Sequence, residues 1–299
     1  MHIVIPESFV DILSRTSLVT PIHNGLSFTC AFMDSWQKFQ APVRAFIIIN
    51  DGSDDGTREY LDRTEVPRAQ IVHGEHNTCY ATAANLGASM ASGEYLCFLN
   101  NDLVLTNAWL GPMLHGLQSL SDAGIVGCVQ RNPTTDLVDH AGMFFDLEGY
   151  PRHAGHKFRN VSKEIFTEWR AVTAACFVIR RDVFMAHDGF DISFRNGFED
   201  VDLCMRLGEK GFRHYVANES QIFHHVSQSP GRKLHESRNA QIFLERWGHI
   251  TRKYGLEQWP REYLRICRNR PAKFRPFKFV LALWCLLMYR RKCSTRTAS

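Results

Sequence analysis

The stretch Asn50-Asp51-Gly52-Ser53-Asp54-Asp55-Gly56-Thr57 decides how this chain is read. It follows the apolar run Phe46 to Ile49 and leads into a helical stretch from Thr57 to Asp62. Small residues that tolerate positive φ, mixed with short hydrogen-bond acceptors, suit a turn from a buried strand into a helix. A second cluster, Phe98-Leu99-Asn100-Asn101-Asp102, closes the apolar run that begins at Tyr95. A third, Phe198-Glu199-Asp200-Val201-Asp202, is trailed by His224 and His225. Carboxylates recurring at strand ends suit a site that holds a metal-bound, phosphate-bearing substrate and also needs a base.

Outward from these clusters, strand-like runs (Ser17 to Thr20, Phe46 to Ile49, Gln70 to His73, Tyr95 to Leu99, Ile125 to Val129) alternate with helical stretches. The helices are Phe28 to Phe39, Thr57 to Asp62, Ala81 to Ser92 and Ala108 to Leu120. This alternation predicts an α/β fold with a mainly parallel central sheet flanked by helices. Ligands of such sheets gather at the carboxyl ends of the strands, where Asp51 and Asp102 fall. After residue 130 the segments shorten (Gly142 to Asp146, Val172 to Ile179, Phe212 to Val216). Helices are expected over Glu199 to Lys210 and from His235 to about Lys253.

The hydrophobic content of 44% supports a real core. Arg261 to Ser299 holds eleven Lys or Arg against one acid, so the rest of a chain with formal charge +4 is net acidic. The expected division is a domain over 1–260, with a donor half at about 17–130 and an acceptor half at about 131–260, and a basic amphipathic tail over 261–299. The apolar run Phe279 to Tyr289 is too short for a span of about 20 residues. Flanked by Arg275, Lys278, Arg290, Arg291 and Lys292, it suits a helix on an anionic membrane surface, and equally a terminal helix packed on the domain. The nine cysteines form no C-x-x-C pair, and Met1 to Glu7 has no signal-peptide pattern, so a cytoplasmic, reducing setting is expected. Nucleic-acid binding is not expected, because the basic tail lacks an aromatic-basic reader motif. No G-x-G-x-x-G and no G-x-x-x-x-G-K-[ST] follows a strand, which argues against dinucleotide dehydrogenases and P-loop NTPases.

The order of motifs resembles family 2 glycosyltransferases. The residues that carry the likeness are Thr20-Pro21-Ile22-His23-Asn24, the Asp51 loop, Asn77-x-x-x-Ala81-x-x-x-Asn85-x-Gly87 and Phe98-Leu99-Asn100-Asn101-Asp102. Asp139-His140-Ala141-Gly142, Gly189-Phe190-Asp191, Arg195 to Leu203 and Glu245-Arg246-Trp247-Gly248 resemble its rhamnosyltransferase-like branch. The resemblance implies a GT-A fold with a C-terminal helical basic extension. It also implies inverting transfer of a sugar from a nucleotide-diphosphate donor to a glycan or lipid-linked acceptor.

By the same resemblance Thr20, Pro21, Asn24, Asp51 and Ser53 hold the nucleoside side of the donor, with Asn85 and Gly87 nearby. Asn100, Asn101 and Asp102 face the diphosphate. Asp102 and His224 bind Mg²⁺ or Mn²⁺, Asp200 is the base and Glu199 the alternative base or an acceptor contact. Asp202 reads as a charge favoured in a first helical turn. Arg232, with Lys233 in the loop after Ser229-Pro230-Gly231, suits a cationic cover for the diphosphate. His153, His156, Lys157 and Arg159 form a possible acceptor rim. Two positions depart from the family pattern: Asn100 stands where an Asp is common, and Cys79 where a Gly is common.

Two other functions compete. A degenerate GT-A domain that binds a nucleotide sugar or glycan without turnover is made concrete by Asn100, though it would have no need of Glu199-Asp200 and His224. A nucleotidyltransferase would want a Gly-rich cationic loop after the first strand, which Pro21-Ile22-His23-Asn24-Gly25 does not supply. A processive synthase is disfavoured, since Gln241 and Arg246-Trp247 are not spaced as Q-x-x-R-W.

Overall fold

Buried apolar runs bounded by turn residues form a sheet whose two faces are covered by helices. The computed structural model describes residues 7–225 and 232–296, with side chains over 11–225 and 234–288. The first half contains α1 (Glu7–Ser14), β1 (Thr16–Ile22), α2 (Leu26–Phe39), β2 (Ala45–Asn50), α3 (Thr57–Arg63), β3 (Ala69–His73), α4 (Tyr80–Met90), β4 (Tyr95–Leu99), β5 (Leu103–Val104), α5 (Gly111–Ser119) and β6 (Ala123–Arg131). The second contains β7 (Val138–His140), β8 (Met143–Phe145), β9 (Pro151–His153), β10 (Phe166–Trp169), β11 (Cys176–Arg180), α6 (Arg181–Ala186), α7 (Glu199–Glu209), β12 (Arg213–His224), α8 (Glu236–Asn269) and α9 (Pro276–Arg296).

The main sheet runs β10-β12-β6-β11-β4-β1-β2-β3. The ladder β4-β1-β2-β3 is parallel, as the alternation predicts. Beyond it β11 enters antiparallel between β4 and β6, and β12 then pairs parallel with β6. β1, β2 and β4 are buried along their length or nearly so, as strands covered on both faces must be. Pro21, which has no N–H to give, lies past the last residue of β1 that pairs with β4. Gly87 lets α4 approach this ladder: a Cβ there would meet Val19 Cγ1 at 2.5 Å.

One expectation changes. The helix expected to end near Lys253 continues as α8 to Asn269 and passes through Pro260. A proline removes one backbone bond of a helix, and tertiary contacts on both sides hold this one. Before it Gln258 Oε1 accepts a hydrogen bond from the Phe145 amide at 3.0 Å, and after it the buried Glu262 accepts one from the Gly155 amide at 3.1 Å. The division expected at 260/261 therefore falls inside a helix that packs on the domain.

Asp202 stands in the first turn of α7, as expected, and it is also fully buried: its carboxylate accepts hydrogen bonds from Arg206 Nε (2.8 Å), Arg246 Nη1 (2.6 Å) and Trp247 Nε1 (2.9 Å). Arg246 also bonds Asp191, and Arg206 donates to the carbonyls of His187 and Gly189. This hub ties α7 to α8 and to the loop after α6. Removing one partner of a buried ion pair costs about 3–5 kcal/mol. Asp202→Ala should lose that much stability, read as a lower urea midpoint at unchanged slope.

Candidate active site

The loops after β1 and β2 are stapled to each other. Asn24 donates its amide N–H to Ser53 Oγ (2.9 Å), while its side chain exchanges two hydrogen bonds with Asp54. Asp55 accepts from the Leu26 amide (2.8 Å), which starts α2, and from Thr57, which starts α3. Burial works against the Asp55 carboxylate, but the Thr57 hydroxyl and the amides of Leu26, Thr57 and Gly25 hold its pKa below the ordinary value. Gly52 has φ 66°, and a Cβ there would strike the His76 backbone at 2.5 Å, so the turn needs glycine on both counts. The buried Asp51 carboxylate accepts from the Thr78 amide (2.9 Å) and hydroxyl (2.7 Å), which fixes β2 to the start of α4.

At the end of β4, Asn101 donates to the Asn24 carbonyl (3.1 Å) and to Thr29 Oγ1 (2.9 Å). Asp102 is buried, and β12 lies against β5 so that His224 Nε2 comes within 3.1 Å of Asp102 Oδ1. His224 Nδ1 is 2.7 Å from Gln130 Oε1. With Gln130 Oε1 as the acceptor, Nδ1 carries a proton. Nε2 then either gives a second proton to the Asp102 carboxylate as an ion pair, or presents a lone pair that can join the carboxylate on a metal ion. Asp102 Oδ1 and Asn100 Oδ1 are both buried without a hydrogen-bond partner among the described residues. Asp102, Asn100 and His224 are therefore the residues that could hold a divalent ion, with oxygen and imidazole donors suited to Mn²⁺. No cluster of three or more His, Cys, Asp or Glu is present among the described residues, so phosphate oxygens and water would complete the shell.

On the far side, Asn196, Gly197 and Phe198 all have positive φ and turn the chain into α7. Glu199 is buried, and its Oε2 accepts from the Gly197 amide (2.6 Å), so it holds its own loop. Asp200 is more open. Its Oδ2 accepts from the Ala174 amide (3.0 Å), and the adjoining Ala175 carbonyl accepts from the Asn100 amide (2.9 Å). The Tyr80 amide donates to Asn196 Oδ1 (2.9 Å) and its hydroxyl to the Ala174 carbonyl (3.1 Å). Burial, with Glu199 and Asp200 adding, pushes the Tyr80 pKa well up, so it stays a neutral donor.

These contacts close a ring. From Asn100 it runs through Asn101 and Asn24 to the Asp51 loop, through Thr78 and Tyr80 to Asn196, and through Asp200 and Ala174 back to Asn100. Most of the expected site residues stand on it or beside it. Asn85 and Gly87 do not. The Asn85 side chain exchanges two hydrogen bonds with the Phe190 backbone (2.7 and 2.9 Å), and Gly87 packs on β1 and β2. Thr20 is fully buried, with a hydroxyl that has no partner among the described residues. Met1 to Pro6, the loop at 226–231 and the side chains of Arg232 and Lys233 lie outside the described residues. In the expected acceptor rim, His153 pairs with His140 (2.9 Å) and His156 lies 3.4 Å from Asp139.

The sequence reading missed Thr78, Tyr80 and Gln130. Thr78 and Tyr80 flank Cys79 at the start of α4, where an unusual residue at a family glycine position was the available signal. Gln130, at the end of β6, has no such signal.

The chain belongs to glycosyl transferase family 2, whose family model matches residues 17–187. It is 29% identical over 228 residues to the O-antigen biosynthesis protein RfbC of Myxococcus xanthus, which covers 72% of this chain and 18% of that protein. It is 25% identical over 218 residues to the N-acetylglucosaminyl-diphospho-decaprenol L-rhamnosyltransferase of Mycobacterium tuberculosis, covering 64% of this chain and 70% of the relative. The chain thus spans less than a quarter of the length of RfbC. The crystal structure of GalNAc-T7 with UDP, GalNAc and Mn²⁺ matches at TM-score 0.65 and 17% identity, over 84% of this chain and 51% of that one. The mannosyltransferase PcManGT of Pyrobaculum calidifontis, in complex with GDP-Man and Mn²⁺, matches at TM-score 0.53 and 14% identity, over 95% and 75%. The α/β fold expected from the sequence is thus the GT-A fold, with C-terminal helices present.

Cys79 has φ 74° and ψ 160°, a region essentially reserved for glycine. Burial raises its thiol pKa; Arg195 opposes the rise, while Asp51 and Glu199 add to it. Cys79→Gly should relieve strain that costs about 1–3 kcal/mol. Glycine's greater freedom in the unfolded chain takes back part of this. The expected outcome is a higher thermal midpoint in calorimetry.

Proposed function

We propose that this chain is an inverting, non-processive glycosyltransferase domain that moves a sugar from a nucleotide-diphosphate donor to a glycan or lipid-linked acceptor in cell-surface polysaccharide synthesis. The ring carries the reading: it gathers Asp51, Asp102 with His224, and Asp200 from distant parts of the sequence around one set of strand ends. The functions for which the relatives are named, O-antigen biosynthesis and L-rhamnosyl transfer to a diphospho-decaprenol acceptor, support the polymer and make dTDP-rhamnose the first donor to test.

In this reading Asp51, oriented by Thr78, takes the nucleoside, with the stapled loop of Asn24 and Ser53 shaping its floor. Asp102, His224 and Asn100 hold Mg²⁺ or Mn²⁺, which when bound offsets charge on the departing diphosphate. Asp200 is the base. Each of its oxygens accepts one backbone hydrogen bond, from Ala174 and from Val201, which orients the carboxylate and leaves lone pairs to take the proton of the acceptor hydroxyl. Glu199 holds the loop that aims Asp200, and Tyr80 fixes the Ala174 backbone to which Asp200 is bonded. Gln130 fixes the tautomer of His224, as outer partners of metal-bound histidines do. We take the acceptor to be met at the cytoplasmic face of the membrane, with the protein attached peripherally.

Calorimetric titration with a panel of nucleotide diphosphates and nucleotide sugars, with Mn²⁺ and with EDTA, tests this. One nucleotide should bind tightly and lose affinity in EDTA. Asp200→Asn should abolish transfer in a coupled assay while leaving that binding nearly intact, and Asp102→Ala should weaken both. Binding without turnover in the wild-type protein, with acceptors supplied, would favour the degenerate domain. Gln130→Met should weaken Mn²⁺ binding about 10–100-fold, the usual effect of losing such an outer partner. Gln130→Glu, which keeps an acceptor for His224 Nδ1, should retain it, with both variants folded by circular dichroism.

A further inference from the structure

We infer that α9 is an in-plane docking helix for an anionic lipid bilayer. The inference deepens the peripheral attachment proposed above, and it stands whatever the donor proves to be.

One face of α9 packs on α8, burying Ala282 and Cys285. The joint between the helices is fixed by a reciprocal pair: the Tyr263 hydroxyl donates to the Arg275 carbonyl (3.0 Å), and the Arg275 amide donates to the Tyr263 oxygen (2.8 Å). The opposite face is apolar and open. Phe277 is 79% exposed, Val280 64%, Trp284 55% and Leu287 61%, with Leu283 and Met288 beside them. Positions 277, 280, 284 and 287 recur at the spacing of one helical face. Phe274, 43% exposed, adjoins this face through Phe279, and a contiguous apolar set of this kind marks an interaction surface.

Charge selects the occupant. The α9 sequence carries Lys278, Arg290, Arg291, Lys292 and Arg296 and no acid, and no acid occurs from Tyr263 to Ser299. A second copy laid face to face would bring like charges together, whereas an anionic bilayer accepts the apolar side chains and the cations at once. No helix among the described residues is long and apolar enough to cross a membrane, so α9 lies in the interface plane.

The test uses the full chain. It should sediment with vesicles of phosphatidylcholine and phosphatidylglycerol, but not with phosphatidylcholine alone, and salt should release it. Trp284 emission, isolated by difference from Trp284→Phe, should shift to the blue on binding. The double variant Trp284→Asp with Leu287→Asp, and separately Lys278→Glu, should reduce the bound fraction, the double variant by at least about tenfold. Both should keep wild-type nucleotide binding and circular dichroism, so failure of the donor reading remains separable. Equal sedimentation of wild type and double variant, or no sedimentation with anionic vesicles, overturns the inference. A concentration-dependent dimer that Leu287→Asp splits, with no vesicle binding, assigns the face to a second copy and also overturns it.

Discussion

Polar groups stranded where buried strands end must find partners, and here that requirement shapes the whole site. β1, β2 and β4 finish at one edge of the sheet, and the loops beyond them satisfy one another, not water alone. Asn24, Asp51, Asp55 and Asn101 each bond backbone or side-chain groups of another segment. The result is a set of carboxylates and amides oriented in advance, which is the condition under which positioned groups act together. The Thr20 hydroxyl and Asn100 Oδ1 are buried without a hydrogen-bond partner among the described residues, and Asp102 Oδ1 faces His224 Nε2 at 3.1 Å. Such atoms are where a ligand has most to add.

The base side depends on a different interaction. Asp202 sits two residues after Asp200 and is turned away from the site, into the grip of Arg206, Arg246 and Trp247. A buried carboxylate is tolerated only with such pairing. Its pairing fixes the start of α7 against α8, so the orientation of Asp200 is set from behind. Asn239 on α8 completes this by bonding the backbone of Arg195 and Gly197, in the loop that leads to Glu199. α8 thus reaches from the base to the joint with α9, and the same helix that supports the chemistry carries the proposed lipid-facing surface.

Much of this was legible in the sequence because it is local. Apolar runs of strand length, turn residues after them and the alternation with helices define β1 to β4 and the parallel ladder. The acidic clusters mark the strand ends, because Asp and Asn suit turns as well as ligands. The apolar run of α9 is legible too, but which of its faces stays exposed is set by its packing on α8.

What the sequence could not determine is which polar side chains face the site and which face the protein. Asp200 and Asp202 look alike in one dimension, as do Asn85 and Asn101, yet one of each pair lies on the ring and the other bonds elsewhere. Gln130 is unremarkable until β12 brings His224 beside it. The helix expected to end near Lys253 runs on through Pro260, with Gln258 and Glu262 bonded to the amides of Phe145 and Gly155 on either side of it. Sequence spacing sets element type through backbone geometry; partner choice among buried polar groups is a long-range pairing problem, and only the tertiary structure solves it.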